Sequence, residues 1–339
     1  MTKDAATAKR AMRISGGRDE ESAAVRFKDR LLSSLRSAYH PAMVTQGDRI
    51  LCTGHGDLVF GPRCLVVGIL NVTPDSFSDG GRYMETADAV RRGREMITQG
   101  ADCLDIGGES TRPGSEPTSA ATQMDRVLPV ISELRGSGMD RPISIDTQSA
   151  VVAEAALRAG ADIVNDISAA RADPEMKGYL ARSGAPVVLM HMQGTPMTMQ
   201  KSPHYLDVVA EIQAFFEERV AELKASGLDS SRIVLDPGIG FGKSVHHNLE
   251  IIRRIANFRG RFPVMVGPSR KAFLGKLMDD AGPQDRLLST AAVVAHCALA
   301  GVEMVRVHDV REIRQVTEVC SAIRRIPTGS TPPAESRSS

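Results

Sequence analysis

Paired thiols are missing from this sequence. Its five cysteines, Cys52, Cys64, Cys103, Cys297 and Cys320, are odd in number, widely spread and free of any C-x-x-C pair. That pattern suits a reduced, cytosolic protein better than a disulfide framework or a zinc cluster. Long hydrophobic runs are absent too: none approaches the roughly 20 residues of a membrane helix. The N-terminus has no apolar h-region and carries Asp4, Asp19, Glu20 and Glu21, which argues against a signal peptide. Nor is there an excess of one charge. The 42 Lys and Arg against 41 Asp and Glu leave a formal +1, which removes a broad nucleic-acid or polybasic membrane surface but not a local cationic pocket. No G-x-G-x-x-G follows the first strand-like run, so the dinucleotide fingerprint is missing.

What is present is a repeating architecture between two polar ends. Residues 1–24 are polar, contain Gly16-Gly17 and show no period, and residues 327–339 are rich in Ser, Pro and Thr; both read as disordered tails. Residues 25–63 hold a short helix candidate and then RILCTGHGDLVF, two apolar runs around Gly54 and Gly56 that read as a β-hairpin. This segment is expected to cap the bottom of a barrel. From 64 to 326 one unit recurs. Apolar, β-rich runs stand at 64–72, 103–108, 142–147, 162–167, 186–192, 232–238, 263–269 and 303–309, separated by stretches with helical periodicity such as 205–226 and 291–301. Near-continuous apolar strands alternating with helices indicate a parallel sheet covered on its faces. Eight such units favour an α/β fold of the (β/α)8 TIM-barrel type over an open doubly wound sheet.

Polar residues fall where each apolar run ends: Asn71, Glu109, Asp146, Asn165, His191, Asp236, Ser269 and His308. Any one of them reads equally well as a helix cap or turn residue. All eight together match the face on which barrel enzymes keep their chemistry. Arg306 and His308 are two apart on the eighth run and share a side, and Ser269-Arg270-Lys271 follows the seventh. With Arg112 closing from the loop after the second run, they suit a phosphate or diphosphate. Arg306 interrupts the buried run MVRV, where an unpaired charge is costly, and so argues for an anionic ligand. Asp146, Asn165 and Asp236 could together read the edge of a flat heterocycle carrying amino and carbonyl groups. The segments 71–81 and 107–117 read as loops that close over substrate, and Asn71 beside a diphosphate is a reasonable Mg2+ ligand.

Eight motifs in order carry a resemblance. GILNVTPDSFSDGG (68–81), DIGGESTRPG (105–114), SIDT (144–147), NDI (165–167), VLMHMQGTP (188–196), LDPGIGFGK (235–243), SRK (269–271) and RVHDV (306–310) make the chain resemble the dihydropteroate synthases over nearly all of 64–325. The resemblance implies a transferase of folate biosynthesis. It would join 6-hydroxymethyl-7,8-dihydropterin diphosphate to p-aminobenzoate, giving 7,8-dihydropteroate and pyrophosphate by an SN1-like path with Mg2+. It implies a pterin pocket of Asp146, Asn165, Asp236 and Lys271 with Arg306 stacked on the ring. The diphosphate would meet Asn71, Arg112, Arg306 and His308, with Asn71 on the metal. The p-aminobenzoate site would comprise Phe77, Thr111, Arg112, Pro113, Phe241 and Ser269. The catalytic set would be Asp79, Arg112, Lys271, Arg306 and His308. Sulfonamides would compete with p-aminobenzoate, and the protein would be a homodimer through its last helices.

The absence of any Ser-His-Asp or Cys-His arrangement suits this chemistry, because an arylamine is already a neutral nucleophile at pH 7. Three positions depart from the family pattern: Pro268 before Ser269, Ala272 after the SRK motif, and Leu288-Ser289 where a Gly is common. They bear on sulfonamide sensitivity and p-aminobenzoate affinity, not on reaction class. Two other readings keep the pterin pocket: a pterin-dependent methyltransferase and a non-catalytic pterin-binding paralogue. The first leaves the SRK and RVHD cations without purpose. The second predicts decay of the two loops, and both are intact.

Overall fold

The computed structural model describes residues 49–73 and 86–326. Its centre is a ring of eight parallel strands: β3 (Leu65–Asn71), β4 (Cys103–Gly107), β5 (Ile143–Asp146), β6 (Ile163–Asp166), β7 (Val187–Met190), β8 (Ile233–Asp236), β9 (Met265–Val266) and β10 (Met304–Val307). The strand order is β8-β7-β6-β5-β4-β3-β10-β9. A parallel bridge between Leu235 and Val264 joins the two ends, with Leu235 N–H donating to Pro263 O at 2.9 Å. The sheet is therefore a closed barrel. All eight strands lie within the apolar runs read from the sequence, because strands buried on both faces leave near-continuous hydrophobic runs.

Helices α1 (Thr86–Thr98), α2 (Ala120–Gly136), α3 (Ala150–Arg158), α4 (Pro174–Ser183), α5 (Val208–Ala225), α6 (Val245–Arg253), α7 (Ala272–Lys276), α8 (Leu287–Leu299) and α9 (Val310–Arg325) connect the strands. Local chemistry sets their ends. In α5 the Asp207 carboxylate accepts the N–H groups of Val209 and Ala210, and Val208, Ile212, Phe216 and Val220 repeat every four residues along the buried face. In α4, Asp173 caps the start, Pro174 occupies the first turn, and Gly184 ends the helix at φ 63°.

β1 (Arg49–Leu51) and β2 (Leu58–Phe60) form the antiparallel hairpin expected from RILCTGHGDLVF. Leu51, Leu58 and Phe60 pack with Leu65, Val67, Cys103, Ile163, Val188, Val234, Met265 and Met304, the inward residues at the N-terminal ends of the strands. The hairpin thus plugs the barrel bottom. Arg232 donates to Cys52 O at 2.7 Å, and Arg49 pairs with the buried Glu303 carboxylate. The helix expected before the hairpin and both polar tails lie outside the described residues.

Side-chain alternation makes the barrel interior change character along the strands. Leu104, Ile106, Val305 and Val307 point outward into the helix layer, whereas Cys103 and Met304 point inward at the bottom. Two residues further up, the inward positions become Asp105, Asn165, Asp236 and Arg306. Within one layer the interior passes from apolar to ionic.

Candidate active site

A cavity of about 760 Å³ opens at the C-terminal ends of the strands. Asn71, Thr111, Arg112, Pro113, Phe241, Ser269, Lys271, Arg306 and His308 line it, so these sequence-predicted residues do meet. Asp146, Asn165 and Asp236 line a second, inner slot that shares Thr111, Phe241, Gly267, Lys271 and Arg306 with the outer cavity. The slot measures about 20 Å³, room for about one water molecule. Phe77 and Asp79 lie outside the described residues.

The slot is narrow because Arg306 reaches across it. Its Nε donates to Asp105 Oδ2 at 2.5 Å and its Nη2 to Asp146 Oδ2 at 2.7 Å. Asn165 Nδ2 donates to the same Asp105 oxygen at 3.0 Å. The expectation that Arg306 is an unpaired buried charge awaiting an anion is therefore corrected: two carboxylates already compensate it. Burial raises the Asp146 carboxyl above its ordinary range and the Asp105 charge adds to this, while the Arg306 guanidinium opposes it. Asp236, whose Oδ1 accepts the Gly238 N–H at 2.8 Å, is pushed up to about 6 by burial.

The anion corner is built around a strained residue. Arg270 has φ 58°, a left-handed conformation unusual for a side chain of its size. Asp309 holds its guanidinium at 3.1 and 2.6 Å, Thr290 Oγ1 accepts its N–H, and Arg286 donates to its carbonyl. This turn brings Ser269 and Lys271 to the cavity on either side of Arg270. Lys271 Nζ stands 3.9 Å from the centre of the Phe241 ring, and burial and then Arg306 push its ammonium down to about 7. His308 was expected to add to the cations. Burial, then Arg270 and Arg306, push its imidazole down to about 3, so it is neutral at pH 7. Ser269 Oγ accepts the His308 backbone N–H at 3.2 Å and lies 2.9 Å from Nδ1. Ser269 Oγ, with one proton and two lone pairs, can serve either ring tautomer, so these bonds fix the orientation of a neutral imidazole and not which nitrogen carries its proton.

Lys243 shapes the opposite wall. It is 2% exposed, and its ammonium donates to the carbonyls of Gly238 and Phe241 at 2.9 Å and of His191 at 3.2 Å. His191 Nδ1 lies 3.0 Å from the same Nζ. His191, at the end of its apolar run, thus faces Lys243 and the Phe215 ring rather than the cavity. Glu109 does line the outer cavity, and its carboxylate accepts from Thr118 N and Gln123 Nε2. The Glu109 loop rests on its neighbour through Gly114 N–H to Pro196 O at 3.0 Å.

Sequence reasoning missed Asp105, Lys243 and Asp309 as functional parts, although all three lie inside the quoted motifs. For Asp105 a signal existed. An acid in the apolar run CLDIGG is as costly as the arginine in MVRV, and the two compensate each other. For Lys243 there was none, since a lysine after a glycine-rich turn ordinarily reads as solvated. Ala272, one of the three departures from the family pattern, begins α7 and lines the cavity.

Comparison with known proteins fits this geometry. A family described as pterin binding enzyme matches residues 67–308. Dihydropteroate synthase from Synechocystis is 44% identical over 267 residues, covering 78% of this chain and 92% of that protein. The Escherichia coli dihydropteroate synthase is 42% identical over 258 residues, covering 76% and 90%. Among solved structures, Yersinia pestis dihydropteroate synthase in complex with a sulfonamide drug superposes with TM-score 0.77 at 38% identity, covering 81% of this chain and 99% of the other. Xanthomonas albilineans dihydropteroate synthase with 4-aminobenzoic acid gives 0.76 at 38% identity, covering 83% and 100%. Matched over most of its length at this identity, the chain belongs to the pterin-binding enzymes and, within them, to the dihydropteroate synthases.

Proposed function

We propose that this site performs the dihydropteroate synthase reaction of folate synthesis by dividing its two cavities between the two substrates. The observation that carries the division is chemical. The inner slot gathers two carboxylates and an amide against one guanidinium, whereas the outer cavity gathers cations beside Phe241 and Pro113. The slot suits the amino and carbonyl edge of 6-hydroxymethyl-7,8-dihydropterin diphosphate, read by Asp146, Asn165 and Asp236 with Lys271. Entry of the ring requires Arg306 to leave Asp146 and lie over the ring face. The outer cavity suits the diphosphate at Arg306, His308 and Arg112, and p-aminobenzoate against Thr111, Pro113, Phe241 and Ser269. Sulfonamides would occupy the same outer space.

The mechanism follows from charge. The bond between the pterin methylene carbon and the diphosphate oxygen breaks with its electron pair going to oxygen. The electron-rich pterin delocalises the resulting cation, with Arg306 and Arg112 stabilising the departing anion. The neutral arylamine nitrogen then bonds to the methylene carbon and loses its proton to the pyrophosphate or to water. Exclusion of water matters because water would capture the same cation. Mg2+ is part of the proposal. The Asn71 amide lines the cavity at the end of β3, and no group of three His, Cys, Asp or Glu among the described residues forms a protein-only metal site. One amide oxygen plus diphosphate oxygens suits Mg2+, which keeps few protein ligands and would offset leaving-group charge.

A pH profile tests this reading. Asp236 is the stronger acceptor when ionised, and burial pushes its carboxyl up to about 6; Lys271 loses its charge as pH rises through about 7. kcat/KM for the pterin diphosphate should therefore fall on the acid side as Asp236 protonates and on the alkaline side as Lys271 deprotonates. Asp236→Asn should weaken the pterin substrate and reduce the acid limb to the part that Asp146, also raised by burial, contributes. A profile flat from pH 5 to pH 8 would remove these two residues from the substrate.

The proposal extends to assembly and location. Leu288, Leu299, Val319 and Ile323, on α8 and α9, are exposed apolar side chains, and a second copy of this chain is the proposed occupant of that face. Light scattering reads the resulting mass directly. Among the described residues no helix is long and apolar enough to cross a membrane, and a cytoplasmic location is proposed.

A further inference from the structure

We propose that Asp105 is the positioning residue of the pterin slot, acting through Arg306 and Asn165 rather than on the substrate. The inference rests on the pterin reading of that slot. Strand register places Asp105 beside Ile69 and Ser144, one inward layer below the row formed by Asn71, Gly107, Asp146 and Asn165. It is 1% exposed and does not line either cavity. A carboxylate at that depth needs a purpose, because burying an ion pair contributes little net stability.

Two consequences follow from its single bonded oxygen. Asp105 Oδ2 takes the Nε–H of Arg306, the proton nearest the side-chain stem. Held there, the guanidinium can release Asp146 at Nη2 and turn without leaving the site. Asp105 Oδ2 also takes a proton from Asn165 Nδ2. That bond fixes the amide with its nitrogen toward Asp105 and its carbonyl oxygen elsewhere, and so decides which group Asn165 offers a heterocycle edge. Asp105 Oδ1 has no hydrogen-bond partner at all, so the carboxylate is engaged by these two groups alone.

Asp105→Asn keeps the shape and reverses both effects. Its amide can donate to Asn165 Oδ1 and invert that side chain. With one carboxylate gone, Arg306 has Asp146 as its remaining charge partner and competes with the pterin for it. We expect the Kd for the pterin diphosphate to rise about 30-fold, in line with the loss of one charge-assisted hydrogen bond. The KM for p-aminobenzoate at saturating pterin should stay within about twofold, and in an Arg306→Lys, Asn165→Ala background the same substitution should cost under about threefold. If Asp105→Asn does not fold, Asp105→Ser carries the same comparison. An unchanged pterin Kd with only a lower Tm would make Asp105 merely structural. An equal loss in both backgrounds would show that it does not act through Arg306 and Asn165. Failure of the unsubstituted protein to bind pterin diphosphate would instead overturn the slot assignment itself.

Discussion

Arg306→Met is expected to reduce dihydropteroate formation by at least about 10³-fold, the scale seen when a key electrostatic donor is removed, and to cost about 3–5 kcal/mol of stability, as when one partner of a buried ion pair is lost. Both effects have one origin. The guanidinium lies between Asp105 and Asp146, which face each other inside a barrel whose lower layer is apolar. Without it, two buried carboxylates share a site with only Asn165 and the more distant Lys271 to answer them. Asp146, already raised by burial, loses the Arg306 charge that opposes this and then holds a proton to higher pH than the unfolded chain does. The unfolded state binds fewer protons, so stability is retained in acid and lost as pH rises through and above the ordinary carboxylate range. The stability deficit should be small at pH 4 and large at pH 8 in urea unfolding. A deficit independent of pH would mean that packing, not charge, is what Arg306 contributes.

The second large effect is expected at Lys243→Met. One ammonium serves three carbonyls and a histidine nitrogen with no bonded carboxylate. Burial pushes it down to about 7, and Asp236 is the charge that pulls it back up. Removal strands His191 O, Phe241 O and His191 Nδ1, each costing about 1–3 kcal/mol when left unpaired, while Gly238 O keeps the Phe241 N–H at 3.1 Å. The turn cannot relax to find others. Gly238 sits at φ 67°, and a Cβ there would lie 1.9 Å from His191 O, so the backbone is already at its closest approach. The loop carries Phe241 against Lys271, so p-aminobenzoate and pterin affinities should both fall along with Tm. Arg in place of Lys should not rescue, because a planar fork cannot reach acceptors arranged around one point. Retention of wild-type Tm in Lys243→Met would contradict this assignment.

Much of this architecture was legible in the sequence because burial on both faces imposes an apolar run on every strand, and because chemistry at strand ends imposes a polar break after it. Asp146, Asn165, Asp236 and His308 could be read from that punctuation alone. What the sequence hid is pairing across the ring. Asp105 and Arg306 are 201 positions apart and meet only because β10 and β4 flank β3. The neutrality of His308 comes first from burial and then from Arg270, which a strained turn brings close. Lys243 could not be singled out because no local pattern distinguishes a lysine that caps carbonyls inside from one that meets water.

The most direct measurement is pyrophosphate release by the purified protein given 6-hydroxymethyl-7,8-dihydropterin diphosphate and Mg2+, with p-aminobenzoate present or withheld, and with the pterin product identified. Release that depends on p-aminobenzoate and yields 7,8-dihydropteroate is the expected result. Tight pterin binding without p-aminobenzoate-dependent release would contradict it.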